Sequence, residues 1–144
     1  MILFLQTLGE SPIAWCSLIQ TETALSTTES EIIALSASMR ELIWVRRLIK
    51  EISDGLGIQI NKVTDIKATV HEDNQGAISN AEKCSVNNRT RHIHTKYWHF
   101  REHLGKANGI VIQYINSADN IGDIFTKGTK AELYVPLCKK LMGW

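Results

Sequence analysis

The stretch Val70-His71-Glu72-Asp73-Asn74-Gln75 constrains this chain more than any other. Ala68, Thr69 and Val70 close a strand, Asp73-Asn74 breaks it, and Gln75-Gly76-Ala77-Ile78 opens a helix. A strand that runs straight into a helix is the unit of an α/β arrangement. A carboxylate at that junction stands where such folds place ligands, beyond the carboxyl end of a strand. Asp73 is therefore a candidate metal ligand, and the rest of the chain must supply its partners.

The 144 residues are 44% hydrophobic and 22% charged, which suits a single domain, 1–144, with a real core. The net charge of +1 does not announce a polyanion partner, so any such reading must come from local clusters. Cys16, Cys84 and Cys138 are odd in number and form no CxxC pair. Reduced thiols in an intracellular setting are expected. Met1 to Leu8 is apolar, but it lacks a basic leader and is too short to span a bilayer. It reads as a strand, and no membrane partner is expected.

Ile2 to Leu8 and Ile13 to Ser17 flank Gly9-Glu10-Ser11-Pro12 and predict an antiparallel hairpin. Ser26-Thr27-Thr28 offers N-caps, with Glu29 and Glu31 following, and a long helix is expected to about Ile52. Gly55 to Lys67 reads as a loop, Lys67 to Glu72 as a strand and Asn74 to Glu82 as a short helix. The second half of Asn87 to Arg101 is expected to be helical, running to about Lys106. Ile110 to Ile115 is a strand, Asn116 to Asn120 a polar loop, Ile121 to Lys127 the start of a helix, and Lys130 to Met142 a last helix.

At 100° per residue the long helix places Glu31, Leu35, Ser38, Leu42, Val45 and Ile49 on one side. Glu29, Ser36, Arg40 and Arg47 fall on another. Glu31 ends the apolar stripe and is the functional candidate. Glu29 reads as a partner of the helix dipole on a solvated turn.

Asn87 to Arg101 is basic, rich in histidine and interleaved with aromatics. Tyr97, Phe100 and Leu104 read as core. Arg89, Arg91 and Lys96 read as phosphate contacts, because basic clusters neutralise a polyanion backbone. His99-Phe100-Arg101-Glu102-His103 matches the H-x-x-E-H zinc pattern, with both histidines on one face of an α-helix. No placed third ligand follows it, and zinc is set aside. Glu31, Asp73 and Asp123 instead come from three elements, each near an element end. Carboxylates that converge in this way suit hard cations such as Mg²⁺. Two such ions roughly 4 Å apart can clamp the attacking and leaving oxygens of phosphodiester hydrolysis.

Together these segments resemble the ribonuclease H domain that ends the Ty1/copia-type retrotransposon Pol polyprotein. The residues that carry the resemblance are Ser11-Pro12-Ile13-Ala14-Trp15-Cys16-Ser17, Ala24-Leu25-Ser26-Thr27-Thr28-Glu29-Ser30-Glu31 and Glu72-Asp73-Asn74-Gln75-Gly76-Ala77-Ile78. They continue with Arg89-Thr90-Arg91-His92-Ile93, Lys96-Tyr97-Trp98-His99-Phe100-Arg101-Glu102, Asp123-Ile124-Phe125-Thr126-Lys127 and Leu141-Met142-Gly143-Trp144. The resemblance implies an RNase H-like α/β fold, a five-stranded mixed sheet with flanking helices. It implies cleavage of the RNA strand of RNA–DNA hybrids during reverse transcription, with two Mg²⁺ ions, or Mn²⁺ in their place. Glu31, Asp73 and Asp123 match the second, third and fourth of four catalytic acids. Asn74, Gln75 and Arg91 are placed to grip the hybrid through its backbone and 2′-hydroxyls. Further partners it implies are the RNA–DNA hybrid and the upstream reverse transcriptase region. The implied location is cytoplasmic, in a virus-like particle, with the nucleus as the alternative.

Departures matter too. The family's first Asp lies on a strand upstream of the hairpin, and that central strand is lacking here. Its absence is expected to leave open edges on the hairpin and on the Asp73 strand. It also predicts that this chain alone is a catalytically incomplete form that only binds nucleic acid. Ile32 replaces the usual Tyr, Gly122 the usual Ala and Gly128 the usual Pro. No His lies between Tyr114 and Asp123.

Overall fold

Ser26 starts the longest element of the protein. Its Oγ accepts the Glu29 N–H at 3.1 Å, and helix α1 runs from Thr27–Gly55. The Glu29 carboxylate in turn accepts the Leu25 N–H at 2.6 Å, so both ends of this first turn are satisfied locally. Ser26→Ala removes the cap and is expected to cost about 1 kcal/mol, read as a lower urea midpoint at unchanged slope. The computed structural model describes residues 2–83, 95–125 and 130–142, with the backbone alone at Thr95, Lys96, Asp123 and Phe125.

Before α1 come strands β1 (Ile2–Leu8) and β2 (Ser11–Leu18), an antiparallel hairpin. Gly9 at φ 60° makes the turn, which a side chain would strain. Strand β2 starts earlier than its sequence suggests. Pro12 lies inside it opposite Thr7, next to a register shift at Gln6/Thr7, as expected of a residue with no N–H for the ladder. After α1, a single 3₁₀ turn at Val63–Asp65 leads into β3 (Ala68–Glu72). Asn74 then caps α2 (Gln75–Glu82) by accepting the Ala77 N–H at 3.0 Å. The strand-to-helix junction lies where the sequence places it.

Thr95–His103 is a 3₁₀ run, not the α-helix to Lys106 that the sequence suggests. Its threefold repeat stacks Tyr97 and Phe100, which are 8% and 0% exposed. The run stops because Leu104 and Gly105 bridge to Ile110. Strand β4 (Ile110–Tyr114) pairs in parallel with β3, Ala68 opposite Ile110 and Glu72 opposite Tyr114. Ser117–Asp119 and Ile121–Phe125 are 3₁₀ turns, the latter where an α-helix start was expected. Helix α3 (Ala131–Met142) closes the described chain.

The fold is mixed α/β, with two two-stranded sheets, β1–β2 and β3–β4. Among the described residues each of the four strands keeps one edge without a strand partner. The core lies between α1 and the β3–β4 pair. Leu35, Met39, Ala81, Phe100, Ile110 and Ile112 form one cluster, and Ile32, Ile33, Ala77 and Tyr97 a second.

The buried arc of α1 differs from the one read from its apolar stripe. Its buried residues are Glu29, Ile32, Ile33, Leu35, Ser36, Met39, Arg46 and Ser53, an arc centred about 100° from the predicted one. Ser36 and Arg46 enter the core because partners satisfy them. Ser36 Oγ lies 3.4 Å from His99 Nδ1. Arg46 donates to the carbonyls of Ile66, Val63 and Asn108 at 3.0, 2.8 and 2.9 Å. Glu29 is buried as well, contrary to the solvated turn expected of it.

Candidate metal and nucleic-acid site

Alternation along β3 turns Ala68, Val70 and Glu72 inward and Thr69 and His71 outward. The last inward residue, Glu72, is thereby buried. Its Oε1 accepts the Asn74 N–H at 3.0 Å, which pins the turn that Asp73 occupies. Burial is the main cause that pushes the Glu72 carboxyl up to about 7. The Asn74 N–H opposes that shift, and the charges of Glu31 and Asp73 add to it. The first turns of α1 thus bring Glu31 close enough to repel a carboxylate at the end of β3.

Asp73 is half-buried just past β3, and its Oδ2 accepts the Ser117 hydroxyl at 2.8 Å. Glu31 is half-buried in the second turn of α1. Asp123 sits in the Ile121–Phe125 turn, with its side chain outside the described structure. So Glu31 and Asp73 flank one buried carboxyl, and Asp123 follows the loop that carries Ser117. Among the described residues no group of three His, Cys, Asp or Glu is assembled as a metal site. Glu31 and Asp73 are nonetheless carboxylates whose negative charges both act on Glu72, and oxygen donors of that kind fit a hard divalent cation. Glu31, Asp73 and Asp123 are the residues that would hold it.

The nucleic-acid contacts fare unevenly. Gln75 is exposed as the first residue of α2, and Asn74 spends its Oδ1 on the helix cap. Arg89 and Arg91 lie outside the described residues, and Lys96 is described by its backbone alone. The H-x-x-E-H histidines do not share an α-helical face, because they lie on a 3₁₀ run. His103 pairs with its neighbour Glu102 at 3.5 Å, and His99 packs edge-on to Phe100. Glu72 is the site residue the sequence reading left out. Its inward place in the β3 alternation was the signal that could have found it.

The chain is homologous, along nearly its whole length, to a segment of a retrotransposon Pol polyprotein. One relative is the Retrovirus-related Pol polyprotein from transposon TNT 1-94 of Nicotiana tabacum, 32% identical over 140 residues. Those residues are 97% of this chain and 10% of the relative, so the chain spans about one tenth of that protein's length. No protein-family model matches the chain. No solved structure matches it either. No helix among the described residues is long and apolar enough to cross a membrane.

Proposed function

We propose that this chain is a retrotransposon-derived domain of RNase H-like fold, built to cleave the RNA strand of RNA–DNA hybrids. The observation that carries the reading is the approach of Glu31 and Asp73 to the buried Glu72 at the end of β3. It lies within a chain homologous to Pol polyprotein. Glu31, Asp73 and Asp123 hold the cation, Mg²⁺ by preference and Mn²⁺ as a substitute. When bound, it supplies Lewis-acid stabilisation of the phosphodiester oxygens and a more acidic water. Glu72, titrating near neutrality, limits the negative charge gathered between its neighbours. Gln75, Asn74 and the basic residues Arg89, Arg91 and Lys96 grip the hybrid backbone. The setting is reverse transcription beside the upstream reverse transcriptase region, in a cytoplasmic virus-like particle.

A second reading for the 144 residues alone is that they bind a hybrid without cutting it, because the resemblance implies four catalytic acids and only Glu31, Asp73 and Asp123 are matched here. One assay separates the two. The 144-residue chain is incubated with a labelled RNA–DNA hybrid, an RNA duplex and a DNA duplex, in Mg²⁺ and in Mn²⁺. Retention of the hybrid with no cleavage is the result expected for this chain. Measurable turnover would sink the binding-only reading and establish that Glu31, Asp73 and Asp123 suffice.

A further inference from the structure

The geometry points to Ser117 as a positioning residue for the Asp73 carboxylate. This rests on the reading of Asp73 as a cation ligand and goes beyond it, to what orients that ligand. The Ser117 hydroxyl donates to Asp73 Oδ2 at 2.8 Å across 44 residues of sequence. One carboxylate oxygen is thereby fixed, and Oδ1 is the oxygen that a cation would take. A hydrogen bond to a ligating carboxylate orients it and tunes its donor strength.

The bond is part of a built bracket. The β3–β4 pairing continues past Tyr114, with the Ile115 N–H donating to the Glu72 carbonyl at 3.1 Å. That register brings the next residues alongside Asp73. Asn116 Oδ1 accepts the Ala118 N–H at 3.0 Å and sets the turn that presents the Ser117 hydroxyl. Asn120 Oδ1 then accepts the Gly122 N–H at 3.1 Å, one residue before Asp123. Ser117 therefore ties Asp73 to the loop that delivers Asp123. It orients one acid and limits its separation from the next. Ser117 itself is exposed, so losing its hydroxyl removes almost no packing.

The test is calorimetric titration of the 144-residue chain with MnCl₂, comparing the unaltered chain, Ser117→Ala, Ser117→Thr and Asp73→Asn, with a thermal melt of each. Ser117→Ala is expected to raise the Mn²⁺ Kd about tenfold with an unchanged melting midpoint. Ser117→Thr, which keeps the hydroxyl, is expected to restore the affinity, and Asp73→Asn to remove binding. A purely structural role would instead lower the melting midpoint and leave the affinity alone. Unaltered affinity in Ser117→Ala, with binding lost in Asp73→Asn, would overturn the role of Ser117 and leave Asp73 as a ligand. Equal losses in the Ala and Thr variants would overturn it as well. No Mn²⁺ binding by the unaltered chain would overturn the cation reading and this inference together.

Discussion

Arg46→Leu is expected to destabilise the domain by about 3–5 kcal/mol, because three backbone carbonyls lose a charged donor at once. Arg46 is 5% exposed, and its guanidinium joins α1 to the Val63–Ile66 segment and to Asn108. Burial pulls its pKa below the usual arginine value, because desolvation disfavours the charged guanidinium. Leucine matches the aliphatic stem but offers no donor. The carbonyls then stay unsatisfied or must open to water, and each unmade bond costs about 1–3 kcal/mol. The strand pair is threatened too, since Gly109 sits under the same guanidinium. A Cβ on Gly109 would stand 2.4 Å from the Thr64 carbonyl oxygen and 2.8 Å from Arg46 Nη2, at φ +78°. In a domain of this size the loss corresponds to a fall of about 10–15 °C in melting midpoint. A midpoint within about 2 °C of the unaltered protein would mean that the carbonyls find water at little cost.

Glu72→Gln is expected to stabilise the protein above neutrality and to leave it nearly unchanged in acid. The folded state raises this carboxyl from 4.5 to about 7. The protonated form is therefore the one the fold favours. Its contribution is complete below the unfolded value near 4.5 and is lost as pH rises through 7. The loss is on the order of 3 kcal/mol once the group is ionised. Glutamine keeps an oxygen for the Asn74 N–H and cannot ionise, so its stability curve should lack that decline. Urea unfolding at pH 4.5, 6, 7 and 8.5 measures the difference. Parallel curves for the two proteins across that range would mean that Glu72 is ionised in the fold at no cost. Added Mg²⁺ should narrow the gap at pH 8.5, since a cation beside Glu31 and Asp73 offsets the charge that Glu72 meets.

What the sequence makes legible is what local chemistry decides. Gly9 and Pro12 mark the hairpin, Ser26 and Glu29 start α1, and Asn74 ends β3 by capping α2. Each signal lies within a few residues of what it specifies. The buried face of α1 is hidden because it depends on partners far along the chain. Ser36 meets His99 and Arg46 meets Asn108, 63 and 62 residues away, so two polar side chains lie in the core. A hydrophobic stripe reads such residues as outward, and the predicted arc is rotated accordingly. The 3₁₀ run at Thr95–His103 is hidden for the same reason, since the bridge from Leu104 and Gly105 to Ile110 ends it. At the candidate site, the structure places Asp73 just past β3 and Glu31 in the second turn of α1, the element ends where the sequence puts them. The effect of the Glu31 charge on Glu72 is not legible, because those two residues are brought together by tertiary packing across 41 residues of sequence.

The central claim is that Asp73 is a cation ligand for cleavage of RNA–DNA hybrids. The most direct measurement is Mg²⁺-dependent cleavage of a labelled hybrid by a version of this protein extended by an N-terminal strand that carries an aspartate, with and without Asp73→Asn. The account predicts cutting of the RNA strand, none of duplex DNA, and loss of all cutting in the Asn variant. Equal cleavage by the Asn variant would contradict it.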